Sequence, residues 1–274
     1  MQNSEIILVG GSGKTGGRVA ARLEKHGTKS RFASRSSTRP FDWENRATWS
    51  AALEGATSAY VTFQPDLAVS WAADAIGALA KAAADSGLRH IVLLSGRGED
   101  GAERSEEMLK ASGIGYTILR ASWFCQNFSE GAFVESIVAG ELALPAGEVK
   151  EPFTDADDIA DAALAALTDP RHLGKTYELT GPRALTFREA VSEIATATGR
   201  TIRYRQVSMG DFKAGLSATG VPAGTIDLLE ELFGKVLDGR NSRVMNGVAE
   251  ILGRPPKDFS QYARETAATG IWGA

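Results

Sequence analysis

The sequence is poor in the residues that staple or metallate small proteins. It has one cysteine, Cys125, and three histidines, His26, His90 and His172, scattered along the chain. One thiol makes no intramolecular disulfide and no cysteine metal cluster, and the histidines lack ligand spacing. A reducing compartment is compatible with that usage. Basic residues are not in excess either: 30 Lys and Arg against 34 Asp and Glu give a formal net charge of -4. With no basic run and no aromatic-basic interleaving, there is no electrostatic case for nucleic acid. No apolar run reaches the roughly 18 residues that a membrane span needs. The chain begins with a strand-like segment rather than a charged stretch and a signal core, so a cytoplasmic protein is expected. Internal repeats and low-complexity tracts are missing too. What is present is an ordinary globular composition, 43% apolar and 23% charged over 274 residues. That suffices for one large α/β domain with a smaller appendage.

The most informative stretch is EIILVGGSGKTGGRVAARLEKHGTKSRFASR at 5–35. Ile6 to Val9 form an unbroken apolar run, which suits a strand buried on both faces of a parallel sheet. Gly10, Gly11, Gly13 and Gly16 follow and fit both G-x-x-G-x-x-G and G-x-G-x-x-G. Val19, Ala20 and Leu23 then recur at helical spacing, and Gly27 stands where a helix ends. A turn of this kind needs backbone shapes closed to other residues and lets a pyrophosphate approach the amides that open the helix. Gly10, Gly11, Ser12, Gly13, Lys14, Thr15 and Gly16 are therefore candidate dinucleotide-binding residues. Gly13-Lys14-Thr15 also spells the end of a nucleoside triphosphate loop. That motif requires a glycine five residues earlier, and position 8 is Leu.

The second strand, near Ser30 to Ser34, selects the dinucleotide. An NAD site usually has Asp or Glu about twenty residues beyond the glycines, accepting from the ribose hydroxyls. Ser34 and Arg35 occupy that place, and a hydroxyl beside a guanidinium suits a 2'-phosphate. NADP(H) is the expected cofactor, with Arg31 and Arg39 read either as assistants or as surface charges. Asp42 is either an acceptor for the adenine amine or a turn cap.

Further along, a short third strand is expected before a helix over 48–56, then a strand at 58–63, a helix at 67–86, a strand at 89–95, a helix at 105–112 capped by Ser105, and a strand at 116–119. This alternation demands a doubly wound parallel sheet with helices on both faces. Ligands lie at the C-terminal ends of such strands, which makes Phe63, Gln64 and Ser95 candidates for the cofactor path. A helix over 131–139, a turn, a strand near Pro152, a helix to 167 and a strand at 176–180 follow. From Gly181 the pattern turns to amphipathic helices: 186–198, 210–217, 223–237, 241–252 and a terminal one from 258, with a strand at 202–207. The expected division is 1–120 plus 151–180 for the nucleotide domain and 121–150 plus 181–274 for a smaller, mostly helical substrate lobe. Asp155, Asp157 and Asp158 resemble metal ligands on paper and read better as carboxylates at a helix start; no metal is expected.

On GGSGKTG at 10–16, the arginine after the second strand, ILRASWFCQNF at 118–128 and FTDADDIADAAL at 153–164, the chain resembles the NmrA-like group of atypical short-chain dehydrogenases. Helped by FDW at 41–43, it is most similar within that group to bacterial relatives of the NADPH-dependent festuclavine and agroclavine dehydrogenases. The group contains reductases of quinones, azo dyes, triphenylmethane dyes and iminium ions, and also NADPH-binding regulators. Typical short-chain dehydrogenases use Tyr-x-x-x-Lys; aligning on Lys110 puts Glu106 at the tyrosine position. The resemblance offers Lys110 for the nicotinamide ribose. Ser95 either holds substrate or nicotinamide or caps its strand. Glu106 reads first as an exposed first-turn helix residue and second as a carboxylate for a cationic substrate. Trp123, Phe124 and Phe128, with Asn127 as a polar handle, either wall a substrate pocket or belong to the core, and Cys125 reads as a small buried hydrophobe. Ala121 replaces the proline usual after that arginine. The implied function is hydride transfer from NADPH to an electrophilic small molecule in a monomer or homodimer. The alternative is an NADP(H)-sensing regulator acting through a protein partner.

Overall fold

The computed structural model describes residues 5–273. The apolar run Glu5–Val9 is β1, with Ile6 to Val9 buried. In α1 (Lys14–Lys25), Thr15, Gly16, Val19 and Leu23 face inward at three-and-four spacing. The chain leaves α1 through Gly27 at φ +76°, a left-handed backbone that side chains resist. Next come β2 (Ser30–Ala33), α2 (Trp49–Leu53), β3 (Ala56–Val61), α3 (Ala72–Asp85), β4 (His90–Gly96), α4 (Asp100–Ala111) and β5 (Gly115–Ala121). Then follow α5 (Val134–Val138), β6 (Glu141–Leu144), β7 (Lys150–Glu151), α6 (Ala156–Thr168), β8 (Lys175–Leu179), β9 (Leu185–Thr186), α7 (Phe187–Thr198) and β10 (Arg203–Gln206). Helices α8 (Met209–Ala218), α9 (Ala223–Glu231), α10 (Gly247–Leu252) and α11 (Phe259–Ala267) complete the chain.

Among the described residues, β2-β1-β3-β4-β5-β8 form one sheet, parallel throughout. Its helices fall into two packed groups, α1 with α6 and α10, and α3 with α2 and α4, as a sheet covered on both faces requires. The strand order reverses at β1, whose neighbours are β2 on one side and β3 on the other. All C-terminal strand ends share one edge, where such folds place their ligands. This is the expected doubly wound sheet. No helix among the described residues is long and apolar enough to cross a membrane.

The chain folds as two compact units. The first holds the chain up to Ala121 with Ala156–Leu179 and Asn246–Arg254; the second holds Ser122–Asp155, Thr180–Met245 and the chain from Pro255 on. Each has its own apolar core. The second core is dense in rings: Phe128 has Phe133, Phe153, Phe187 and Phe259 around it. Its helix α7 starts on a reciprocal cap between Thr186 and Glu189.

Several expected elements differ. Where a third strand was expected before residue 48 there is an isolated bridge between Asp42 and Asn45, then a turn of 3-10 helix leading into α2. Ring packing explains it: Phe41 stacks on Trp49, and the Trp49 Nε1 donates to the Asp42 carbonyl at 2.7 Å. Helix α4 begins at Asp100 rather than at Ser105, which is an interior residue donating to the Gly101 carbonyl. Residues 67–71 are turns, and α3 starts at Ala72. The stretch after Gly140, read as a turn, contains β6, paired in parallel with β10. Helix 223–237 is split into α9 and a π-turn at Leu232–Val236, and residues 241–246 precede α10 rather than belonging to it. The expected division also shifts: residues 151–155 join the second unit, and 246–254 join the first because α10 packs on α6 and β8. Gly247 permits that docking, since a Cβ there would overlap the Glu178 backbone.

Candidate functional site

The turn between β1 and α1 is built from glycines for separate steric reasons. Gly10 has φ +78°, and a Cβ on it would overlap the Thr62 side chain, which follows β3. A Cβ on Gly11 would overlap the Phe32 ring of β2, and one on Gly16 would sit 2.5 Å from the Gly11 Cα. Gly13 donates its N-H to the Gly10 carbonyl at 3.0 Å and leads into α1, which has no side-chain cap and no acidic residue in its first turn. A helix start of this kind presents the positive end of the dipole. Ser12 is exposed, Gly13 and Lys14 are half-buried, and Thr15 is buried. The residues present fit a dinucleotide pyrophosphate, since a helix start favours an anion and the glycines let the turn fold closely against β2, β3 and itself.

The end of β2 carries the residues expected to select the dinucleotide. Ser34 accepts the Phe41 N-H at 2.9 Å on its carbonyl, closing a loop that carries Arg35. The Ser34 hydroxyl lies 3.2 Å from that of Ser36 and 3.0 Å from that of Ser37. Arg35 is exposed, and among the described residues no group pairs with its guanidinium. Its expected assistants are committed elsewhere. Arg31 pairs with Glu5 at 2.7 Å and donates to the Ala52 and Glu54 carbonyls, and Arg39 donates to the Glu54 carbonyl. Asp42 accepts the Glu44 N-H on Oδ1, the turn-cap reading. Phe63 is buried against Trp43 and Trp71, while Gln64 beside it is exposed.

At the tyrosine position the first reading of Glu106 is overturned. Glu106 is not an exposed first-turn residue: it lies in the interior of α4 with zero exposure. Its carboxylate takes two bonds from Arg120, Nε to Oε1 at 2.7 Å and Nη2 to Oε2 at 2.6 Å, and a third from the Ser95 hydroxyl at 2.7 Å. Lys110 lies 3.6 Å away and is partly exposed. The network continues through Glu178, 3.7 Å from Arg120 and 2.9 Å from Arg97. A buried charge survives in such a site because a bidentate guanidinium and a hydroxyl saturate it. The expected strand-end Ser95 is thus spent on Glu106. Sequence reasoning missed Arg120 as that partner; its signal was a lone guanidinium at the end of the apolar strand GYTILRA.

The other candidates are placed as follows. Phe128 has no exposed surface and sits at the centre of the ring cluster, so it belongs to the core. Trp123 packs edge-on against Phe187 and, like Phe124 and Asn127, is half-buried. Cys125 is fully buried. Asp157 pairs with Arg18 and Arg22, Asp158 with Arg254, and Asp155 with Lys257.

Residues 2–239 match the NmrA-like family. The chain belongs to it. Among curated NmrA-like relatives, agroclavine dehydrogenase of Claviceps fusiformis is 29% identical, with 97% of this chain and 98% of the relative covered. Prestalk A differentiation protein A of Dictyostelium discoideum is also 29% identical, covering 95% and 92%. The NADPH-dependent quinone oxidoreductase QOR2 of Escherichia coli, solved with NADPH, superposes with a TM-score of 0.81 at 24% identity, covering 95% of this chain and 99% of that one. That likeness establishes the shared fold of this NmrA-like protein.

Proposed function

We propose that this protein is an NADP(H)-dependent reductase that delivers hydride to an electrophilic small molecule of the quinone, enone, azo or iminium type. The observation that carries the reading is Arg35, an unpaired guanidinium beside the Ser34 hydroxyl at the end of β2, next to the uncapped start of α1. Together they present a 2'-phosphate site and a pyrophosphate site at one sheet edge. NADP(H), when bound, supplies the hydride; Gly10 to Gly16 hold the pyrophosphate, and Ser34 and Arg35 the 2'-phosphate. The likeness to a dehydrogenase and to an NADPH-dependent quinone oxidoreductase supports a reductase. An electrophilic acceptor needs orientation and water exclusion more than strong activation of a carbonyl. We place the protein in the cytoplasm, as a monomer or homodimer with a small-molecule substrate and no nucleic-acid or membrane partner.

The Arg35→Ala variant tests the cofactor. Its affinity for NADPH is expected to fall by about 1 to 3 kcal/mol, the worth of a charge-assisted bond, with NADH binding little changed. Equal losses for both dinucleotides in a fluorescence titration refute the 2'-phosphate assignment. The second reading, an NADP(H)-sensing regulator, has support in the name of the differentiation-protein relative and in the locked Ser95 and Glu106. Stopped-flow absorbance separates the two, because a regulator leaves bound NADPH unoxidised by every acceptor of a quinone, azo and iminium panel.

A further inference from the structure

With Ser95 and Glu106 locked together, hydride transfer to a quinone or enone still needs a proton. We infer that the carboxyl pair Asp66-Glu99 is that proton source, an assignment that rests on the reductase reading. The two side chains are hydrogen-bonded to each other. A bond between two carboxyl groups requires a proton on one of them, since a carboxylate only accepts. Two glycines bring the pair together. A Cβ on Gly96, the last residue of β4, would overlap the Glu99 carboxyl, so glycine there gives that group its place. In the first turn of α4, a Cβ on Gly101 would overlap the Leu67 carbonyl and lie 2.9 Å from the Ala68 Cα. Glycine therefore lets the start of α4 dock on the backbone beside Asp66. Asp66 is fixed in turn by accepting the Ala68 N-H at 2.8 Å.

The pair stands beyond the ends of β3 and β4, on the sheet edge that also carries the Gly10 to Gly13 turn. Burial is the main cause that raises both carboxyls above their ordinary range, and for Glu99 the charge of Asp66 adds to it. The charged groups on the same and adjoining elements are Arg97, which is turned to Glu178 at 2.9 Å, Asp100 and Glu103 on α4, and Asp74 on α3, the helix packed against α4, which is paired with Arg46. The pair thus retains one proton where a lone exposed carboxyl has lost it. In the step, the hydride's electron pair enters the acceptor, the quinone or enone π bond opens, and the resulting oxygen or carbon anion takes the shared proton. The pair, left with two negative charges, is reprotonated from water. An N,N-dialkyl iminium differs: hydride addition turns its carbon-nitrogen π pair into the lone pair of a neutral amine, and no proton is consumed.

This difference is the test. In Glu99→Gln the amide still donates to Asp66, so the contact persists without a transferable proton, and thermal denaturation checks the fold. NADPH affinity is expected to be unchanged. Quinone turnover should fall by about 100-fold or more, the usual worth of a positioned acid, while turnover of a dialkyl iminium stays within about 3-fold of wild type. The wild-type quinone kcat/KM should also decline as pH rises through the titration of the pair, and Glu99→Gln and Asp66→Asn should lose that limb. Unchanged quinone turnover, or an equal fall for quinone and iminium, overturns the proton assignment and leaves the reductase reading intact. Wild-type protein that binds NADPH and reduces neither acceptor removes both.

Discussion

Glu106 carries more weight than any other single residue in deciding what this site is. A carboxylate with zero exposure, gripped by Arg120 through two bonds and by Ser95 through a third, is a structural ion pair rather than a mobile acid. Removing Arg120 leaves that charge buried with Ser95 and Lys110 alone. Arg120→Met is therefore expected to lower the unfolding free energy by about 3 to 5 kcal/mol in urea denaturation. Glu106→Leu should cost less, because the partly exposed Arg120 keeps Glu178 nearby. The double variant should recover much of the Arg120→Met loss; additive losses would mean that the two residues do not act as a pair. The same scale explains the choice among arginines. Arg31, Arg35 and Arg39 look alike in sequence, yet Glu5 and two carbonyls take Arg31 and the Glu54 carbonyl takes Arg39, while Arg35 is exposed.

At the level of elements, the β1 to α1 turn works because the helix start lies almost in contact with the loop before it. Gly16 and Gly17 are adjacent in α1 and have opposite expectations. A Cβ on Gly16 would meet the Gly11 Cα at 2.5 Å, and neither backbone can yield without moving the helix. Gly16→Ala should therefore weaken NADPH binding at least about 10-fold and lower stability too, by about 1 to 3 kcal/mol for overpacking. A Cβ on Gly17 would meet only the Gly11 carbonyl oxygen, at 3.9 Å, which is ordinary contact. Gly17→Ala should stabilise by about 0.5 to 1 kcal/mol, the helix preference of alanine, and leave affinity unchanged. Parallel NADPH titration and thermal melts of the two variants decide this. The alternation of strands and helices was legible here because burial on both faces writes continuous apolar runs. The start of α4 was not, since Ser105 resembles a cap and only packing shows it inside the helix.

For the whole molecule, two cores share one chain, and the lower end of the first carries a pH response. His90 at the start of β4 is buried, and its Nε2 lies 3.0 Å from the Thr117 hydroxyl, which donates to the His172 carbonyl. Burial first, and the nearby His172 second, lower its pKa to about 4. Below its ordinary value near 6.5 the unfolded chain takes up a proton that the folded protein refuses. Stability is therefore full above pH 6.5, falls as pH drops towards 4, and levels off below that, with a loss of about 3 kcal/mol at most from this group. Urea denaturation of wild type and His90→Gln at pH 7 and pH 4.5 measures it: the difference between the two pH values should shrink in the variant. An unchanged difference would place the acid response in other groups.

The class of fold and the glycine turn were legible in the sequence, because each is written in residues close together along the chain. A strand, a turn and the helix it opens are local features, and their steric demands on glycine leave a readable trace. Tertiary structure alone decided which charges are free. Glu106 meets Arg120 across 14 residues, and Arg97 meets Glu178 across 81. Asp66 and Glu99 come together because β3 and β4 lie side by side, with Gly96 leaving room for the Glu99 carboxyl and Gly101 for the Leu67 and Ala68 backbone. Whether a carboxylate is a solvated surface charge, a buried ion pair or a held proton depends on burial and on partners that no local pattern encodes.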